Sequence, residues 1–179
     1  MVGPCLDIIV ASGDLEAYAI RAVVECFGYL TRLYPVGKPS DLVGILSGKQ
    51  ALAENILISC HGRNGRILLD EIAPKIAARE RYHNSIGASE VREFTELNGQ
   101  TVLCTGCDTG RRSLAQAFLS CGAGTFIAPS GCPLGSEAVM FAVEFYFCRG
   151  VRKLDEERAW RDTMIFDSRF NLFKRFSTL

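Results

Sequence analysis

Net charge is what this chain most plainly lacks: 20 Lys and Arg stand against 20 Asp and Glu, for a formal charge of zero. No basic field is left to hold a phosphate backbone by counterion release, which disfavours nucleic acid as a partner. Long apolar runs are missing too. Glu144 breaks the longest candidate for a membrane span, and a span needs about 20 consecutive apolar residues. Met1 to Asp7 has neither the basic start nor the apolar stretch of a signal peptide. The expectation is a soluble, cytoplasmic protein. Internal repeats and linkers are absent as well, so the 179 residues, 48% of them hydrophobic and 22% charged, read as one domain over 1–179.

Eight cysteines are present. Without an export signal they read as reduced thiols rather than a disulfide scaffold. Cys26 and Cys148 sit in helix-like apolar patterns and Cys5 borders the first strand, as small hydrophobes do. Cys60, Cys104 and Cys107 stand apart by position. Histidine is scarce: only His61 and His83 occur, and His83 lies in the polar string 79–85, a solvated loop with no assigned role.

Short apolar runs alternate with helical periodicity, the pattern of strand-helix-strand units and a mainly parallel sheet. Strands are predicted at 6–12, 30–36, 55–60, 100–106 and 125–128. Helices are predicted at 15–29, 39–47, 70–79, 111–120, 136–147 and 154–165. Residues 89–97 read as a connector. Residues 168–176 read as an edge strand, although the spacing of Phe166, Phe170, Phe173 and Phe176 suits a helix equally.

Two strand ends carry chemistry. His61 follows the run NILISC directly, and Cys107 follows QTVLCTG with a helix behind it. Open α/β sheets bind ligands at the carboxyl ends of their strands. If these two strands are neighbours, the imidazole and the thiol emerge together, and a helix near the thiol is expected to lower its pKa. Cysteine catalysis needs a thiolate, an imidazole to take and return its proton, and donors for the developing oxyanion. Gly62 and Gly106 let backbone N–H groups approach a substrate, so the amides of Gly62 and Cys107 are the expected oxyanion donors.

The order Cys60-His61-Gly62, then Leu103-Cys104-Thr105-Gly106-Cys107-Asp108-Thr109-Gly110, resembles clan CD, the caspase-like cysteine peptidases, and within it the CHAT branch. Leu114 to Phe118, Gly122-Ala123, Phe126 to Pro129 and Phe145-Tyr146 near Gly150 extend the likeness over roughly residues 55 to 150. Gly106 stands where that branch commonly has Ala, and Thr105 where it has Ser. The resemblance implies a three-layer α/β/α sandwich with a mostly parallel sheet. It implies a peptidase with His61 as general base and acid, Cys107 as nucleophile, and no cofactor or metal. It further implies a pocket for the residue before the cut, at whose edge Asp14, Thr105 and Asp108 stand. Asp14 would form an acidic wall favouring Lys or Arg, with Asp108 or Glu137 as substitutes. The partners expected are a protein or peptide substrate and a controlling protein.

Other readings stay open. Cys60 and Arg66 have the spacing of a cysteine-dependent phosphatase loop, although Ile67-Leu68-Leu69 and Pro74 do not read as the helix such a loop opens. Cys104 and Cys107 form a Cys-x-x-Cys, but no second pair completes a zinc site. A catalytically inactive scaffold with the same fold would keep Cys107 buried and unreactive.

Overall fold

The computed structural model describes residues 3–13 and 15–178. The first apolar run becomes β1 (Cys5–Val10), followed by α1 (Glu16–Cys26), β2 (Leu30–Pro35), α2 (Pro39–Leu46) and β3 (Asn55–Ser59). A small insertion follows: β4 (Gly62–Arg63), β5 (Arg66–Leu68), α3 (Pro74–Ala77) and β6 (Ser85–Ile86). The chain then forms α4 (Ala88–Phe94), β7 (Thr101–Cys104), α5 (Arg112–Ser120), β8 (Thr125–Pro129), α6 (Gly135–Gly150) and α7 (Glu156–Phe166). A 3-10 turn, Ser168–Leu172, leads into β9 (Phe173–Ser177).

The main sheet has the order β2-β1-β3-β7-β8-β9. Its first five strands are parallel and β9 runs antiparallel to β8. Side chains alternate across a strand, and this divides the core in two. Leu6, Ile8 and Val10 of β1 pack with Ala17, Ile20 and Val24 of α1, Phe141 and Phe145 of α6, and Ala159 of α7. Ile9, with Ile56 and Ile58 of β3, packs on the other face with Leu42 and Ile45 of α2, Val91 of α4, and Leu114 and Phe118 of α5. The result is three layers, α/β/α.

The layer of α1, α6 and α7 is pinned to the sheet border by aromatics. The Phe141 ring stacks on Phe173 of β9 with centroids 3.8 Å apart and meets Phe170 edge-on at 5.4 Å. Phe141 is wholly buried, so Phe141→Ala is expected to destabilise the fold by about 3–5 kcal/mol, read as a lowered urea midpoint.

Residues 61–66 form a tight turn: Asn64 (φ 52) and Gly65 (φ 72) turn β4 into β5. An Asn-Gly pair with both residues at positive φ is the preferred two-residue hairpin turn. Three sequence expectations need correction. The helix expected over 70–79 shrinks to Pro74–Ala77, because proline suits only the first helical turn. The connector 89–97 contains α4, whose Glu90 accepts the Gly87 N–H at 3.0 Å and so caps the first turn. The edge strand is a 3-10 turn up to Leu172 and a strand only from Phe173. Among the described residues, no helix is long and apolar enough to cross a membrane.

Candidate active site

β1, β3, β7 and β8 end side by side, and the loops leaving their carboxyl ends converge. Ala11 N–H donates to Ser59 O at 2.9 Å and Thr105 N–H to Ile58 O at 3.0 Å, so the pairing continues just past the strands. His61 leaves β3 here. Its backbone N–H donates to Ser12 Oγ beyond β1 at 3.1 Å, and its carbonyl accepts from Leu68 N–H at 2.9 Å. With the backbone tied on both sides, the imidazole stands exposed.

The neighbouring loop carries Cys107. Thr109 closes the turn by donating through Oγ1 to Gly106 O at 2.6 Å, and Asp108 holds φ 56. Asp108 N–H donates to Gly131 O at 2.7 Å and Gly110 N–H to Pro129 O at 2.7 Å, which ties this turn to the loop after β8. Gly65 N–H donates to Asp108 O at 3.0 Å, which ties it to the β4-β5 hairpin.

The histidine and cysteine loops press backbone against backbone. A Cβ placed on Gly62 would lie 2.3 Å from Cys107 O and 2.9 Å from the Gly106 carbonyl carbon. One on Gly106 would lie 2.7 Å from Cys60 Sγ and 3.2 Å from the His61 carbonyl carbon. Only glycine permits this approach. Hydrogen-bonded and free pairs alternate along an antiparallel ladder, and Gly62 pairs with Ile67 between His61-Leu68 and Arg63-Arg66. That alternation turns the Gly62 N–H away from β5.

The thiol does not have the expected lowered pKa. Burial, the hydrogen bond with the Cys132 thiol and the negative charge of Glu16 push Cys107 up to about 11, and the pull of its own backbone N–H does not offset them. The physical reason is distance along the chain: α5 starts only at Arg112, beyond the 106–109 turn. Cys107 is therefore a neutral thiol at pH 7, and raising the pH ionises it. Alkylation of Cys107 by iodoacetamide, followed by peptide mass spectrometry, is expected to rise about tenfold per pH unit towards pH 11, where an ordinary thiol levels off near 8.5. Cys132→Ala should shift that midpoint down.

The other residues singled out in the sequence have definite places. Thr105 is buried, with Oγ1 at 3.4 Å from both Cys60 N and Ile58 O, so it braces β3 against the cysteine turn. The Asp108 carboxylate is held by Arg111 at 2.7 Å. Glu137 caps α6, accepting the Leu134 N–H at 2.9 Å. Asp14 lies outside the described residues. His83 is exposed on the loop before β6.

A groove of about 320 Å³ opens beside Ser12, lined by Val10, Tyr18, Val36 and Asp70 among others. Asp70 accepts the Gly13 N–H at 2.9 Å. Two larger hollows, of about 550 and 540 Å³, lie along the β2-α2 side and beside the 50–52 and 96–100 loops, away from His61 and Cys107.

The phosphate-loop geometry is not formed. Arg66 sits on β5, where Nη2 binds Glu90 Oε1 at 2.7 Å and Nε binds Ser85 Oγ at 2.8 Å. Burial raises the Glu90 carboxyl, but hydrogen bonds from Arg66, its own backbone, Ser89 and Gly87 outweigh it and hold the group at about 2. Cys60 is buried with Sγ 3.5 Å from Cys104 Sγ. The Cys-x-x-Cys pair is split in the same way, since Cys104 faces Cys60 while Cys107 faces Cys132.

Sequence reasoning passed over Ser12, Asp70 and Cys132. Cys132 follows the end of β8 within Ser130-Gly131-Cys132-Pro133, the same strand-end position that marked His61 and Cys107.

Among solved structures, the chain is similar to the separase-securin complex of Saccharomyces cerevisiae, with a TM-score of 0.63 and 12% identity over 99% of this chain and 12% of that one. It is also similar to the Arg-specific cysteine proteinase gingipain R, with a TM-score of 0.57 and 12% identity over 98% of this chain and 46% of that one. The fold is caspase-like. This caspase-like chain spans less than half the length of either of those two structures. No family profile and no curated protein sequence matches it.

Proposed function

We propose that this caspase-like chain is a cysteine endopeptidase, with His61 as general base and acid and Cys107 as nucleophile. The observation that carries the reading is the contact between the two strand-end loops, in which Gly62 and Gly106 admit backbone to backbone and bring the His61 and Cys107 positions together. Motif order within the fold favours the CHAT branch. With a peptide bound, His61 takes the Cys107 proton as sulfur attacks the carbonyl carbon. This couples ionisation to attack and suits a thiol that is neutral at rest. The Gly62 and Cys107 amides receive the oxyanion. His61 returns the proton to the leaving amine, and water then releases the acyl group. Thr105 and Asp108 hold the pocket edge by bracing the cysteine turn.

The groove beside Ser12 takes the side chain before the cut. Asp70, and Asp14 by its place in the sequence, favour Lys or Arg there; gingipain R, of similar fold, is Arg-specific. Control by a protein partner fits the fold's likeness to a separase solved with securin. The test is mass spectrometry after treatment with peptidyl acyloxymethyl ketones bearing Arg, Lys, Asp or Leu. A single adduct on Cys107, lost in His61→Ala and strongest with Arg or Lys, is the expected result. A folded protein that no ketone labels would establish the inactive scaffold instead.

A further inference from the structure

We propose that Cys107 and Cys132 form a reversible disulfide, a modification site for hydroperoxides that closes the candidate active site. The role given to the disulfide rests on the reading of Cys107 as nucleophile; its formation does not. Two backbone hydrogen bonds, Gly110 N–H to Pro129 O and Asp108 N–H to Gly131 O, both 2.7 Å, lay the cysteine turn alongside the loop after β8. The next residue on each segment is a cysteine, so the two thiols stand opposite each other at the end of this pairing, close enough for Cys132 to raise the Cys107 pKa. Cysteines opposite each other on paired backbone segments are placed for a disulfide, whose S–S bond is about 2.05 Å.

The two thiols differ in access. Cys132 is exposed and Cys107 half-buried, so the peroxide meets Cys132 first. The Cys132 thiolate attacks one peroxide oxygen, the O–O bond breaks, and the departing oxygen leaves as water, or as an alcohol from an organic hydroperoxide. Cys107 Sγ then attacks the Cys132 sulfenic sulfur and expels hydroxide, which combines with the Cys107 proton as water. The two thiols lose two electrons and two protons, and the peroxide is reduced. A dithiol reductant reverses the step by thiol–disulfide exchange. The other close pair, Cys60 and Cys104, lies in the core at 4% and 0% exposure and is closed to the oxidant.

The reduced protein would be treated with hydrogen peroxide, its remaining thiols blocked with N-ethylmaleimide, and its peptides mapped before and after dithiothreitol. The expected result is a Cys107–Cys132 bridge, with labelling of Cys107 by the peptidyl ketones falling at least tenfold and recovering on reduction. In Cys132→Ser no bridge should form, and labelling should lose its recoverable, dithiothreitol-sensitive response to peroxide. Mapping of a Cys60–Cys104 bridge, or oxidation of Cys107 to sulfinic acid without a bridge, overturns the proposal. If the bridge forms while no ketone labels the reduced protein, the modification site stands and the peptidase reading falls. Labelling that survives a fully formed bridge removes the gating role.

Discussion

Cys107→Ala is expected to abolish peptide hydrolysis, with a loss of at least about a thousandfold in kcat/KM, because the proposed attack on the carbonyl is made by its sulfur. Cys60 and Cys104 are buried away from the groove, and Cys132 sits on the loop after β8. Stability should hardly change, since the Cys107 side chain is half-buried and the turn around it is held by backbone bonds from Asp108 and Gly110. Activity assays beside urea unfolding separate the two effects. Full activity in the variant would remove Cys107 from the chemistry.

Gly62→Ala should be nearly as damaging for a different reason. The new methyl would lie 2.3 Å from Cys107 O, a backbone atom whose turn is tied to Gly131 and Gly65 on either side. The loops must part, and the amide of residue 62 moves with them. Displacement on the scale of 1 Å costs about a hundredfold in rate, while overpacking costs about 1–3 kcal/mol of stability. The expected signature is a large fall in kcat with a measurable but non-lethal loss of stability. Gly44→Ala is the contrasting control. That glycine lies inside α2 with nothing near its missing Cβ, so alanine should raise stability by about 0.5–1 kcal/mol and leave kcat alone.

Much of the frame was legible in the sequence because buried parallel strands are unbroken apolar runs. LDIIV, NILIS and TVLC carry that signal without ambiguity, and each became a strand. The His61 and Cys107 positions were legible for the same reason, since polarity switches abruptly where those runs end. The insertion between them was not. Strands of two or three residues, such as β4 and β6, are too short to show a period, and only Asn64-Gly65 marks the hairpin. The chemical state of the thiol was illegible too. It depends first on burial of the thiol, and then on Cys132 and Glu16, residues distant in sequence that the fold brings to the Cys107 turn.

The borders of the main sheet carry their own protection. β2 and β9 are its outermost strands, each with a row of backbone groups free to template another strand. β2 carries Arg32 and ends in Pro35, which has no N–H to donate, and β9 carries Lys174 and Arg175. Charge and proline at such margins discourage one sheet from adding to another. A protein with 48% hydrophobic residues and no net charge to keep its copies apart is thereby shielded, along both margins, from edge-to-edge aggregation.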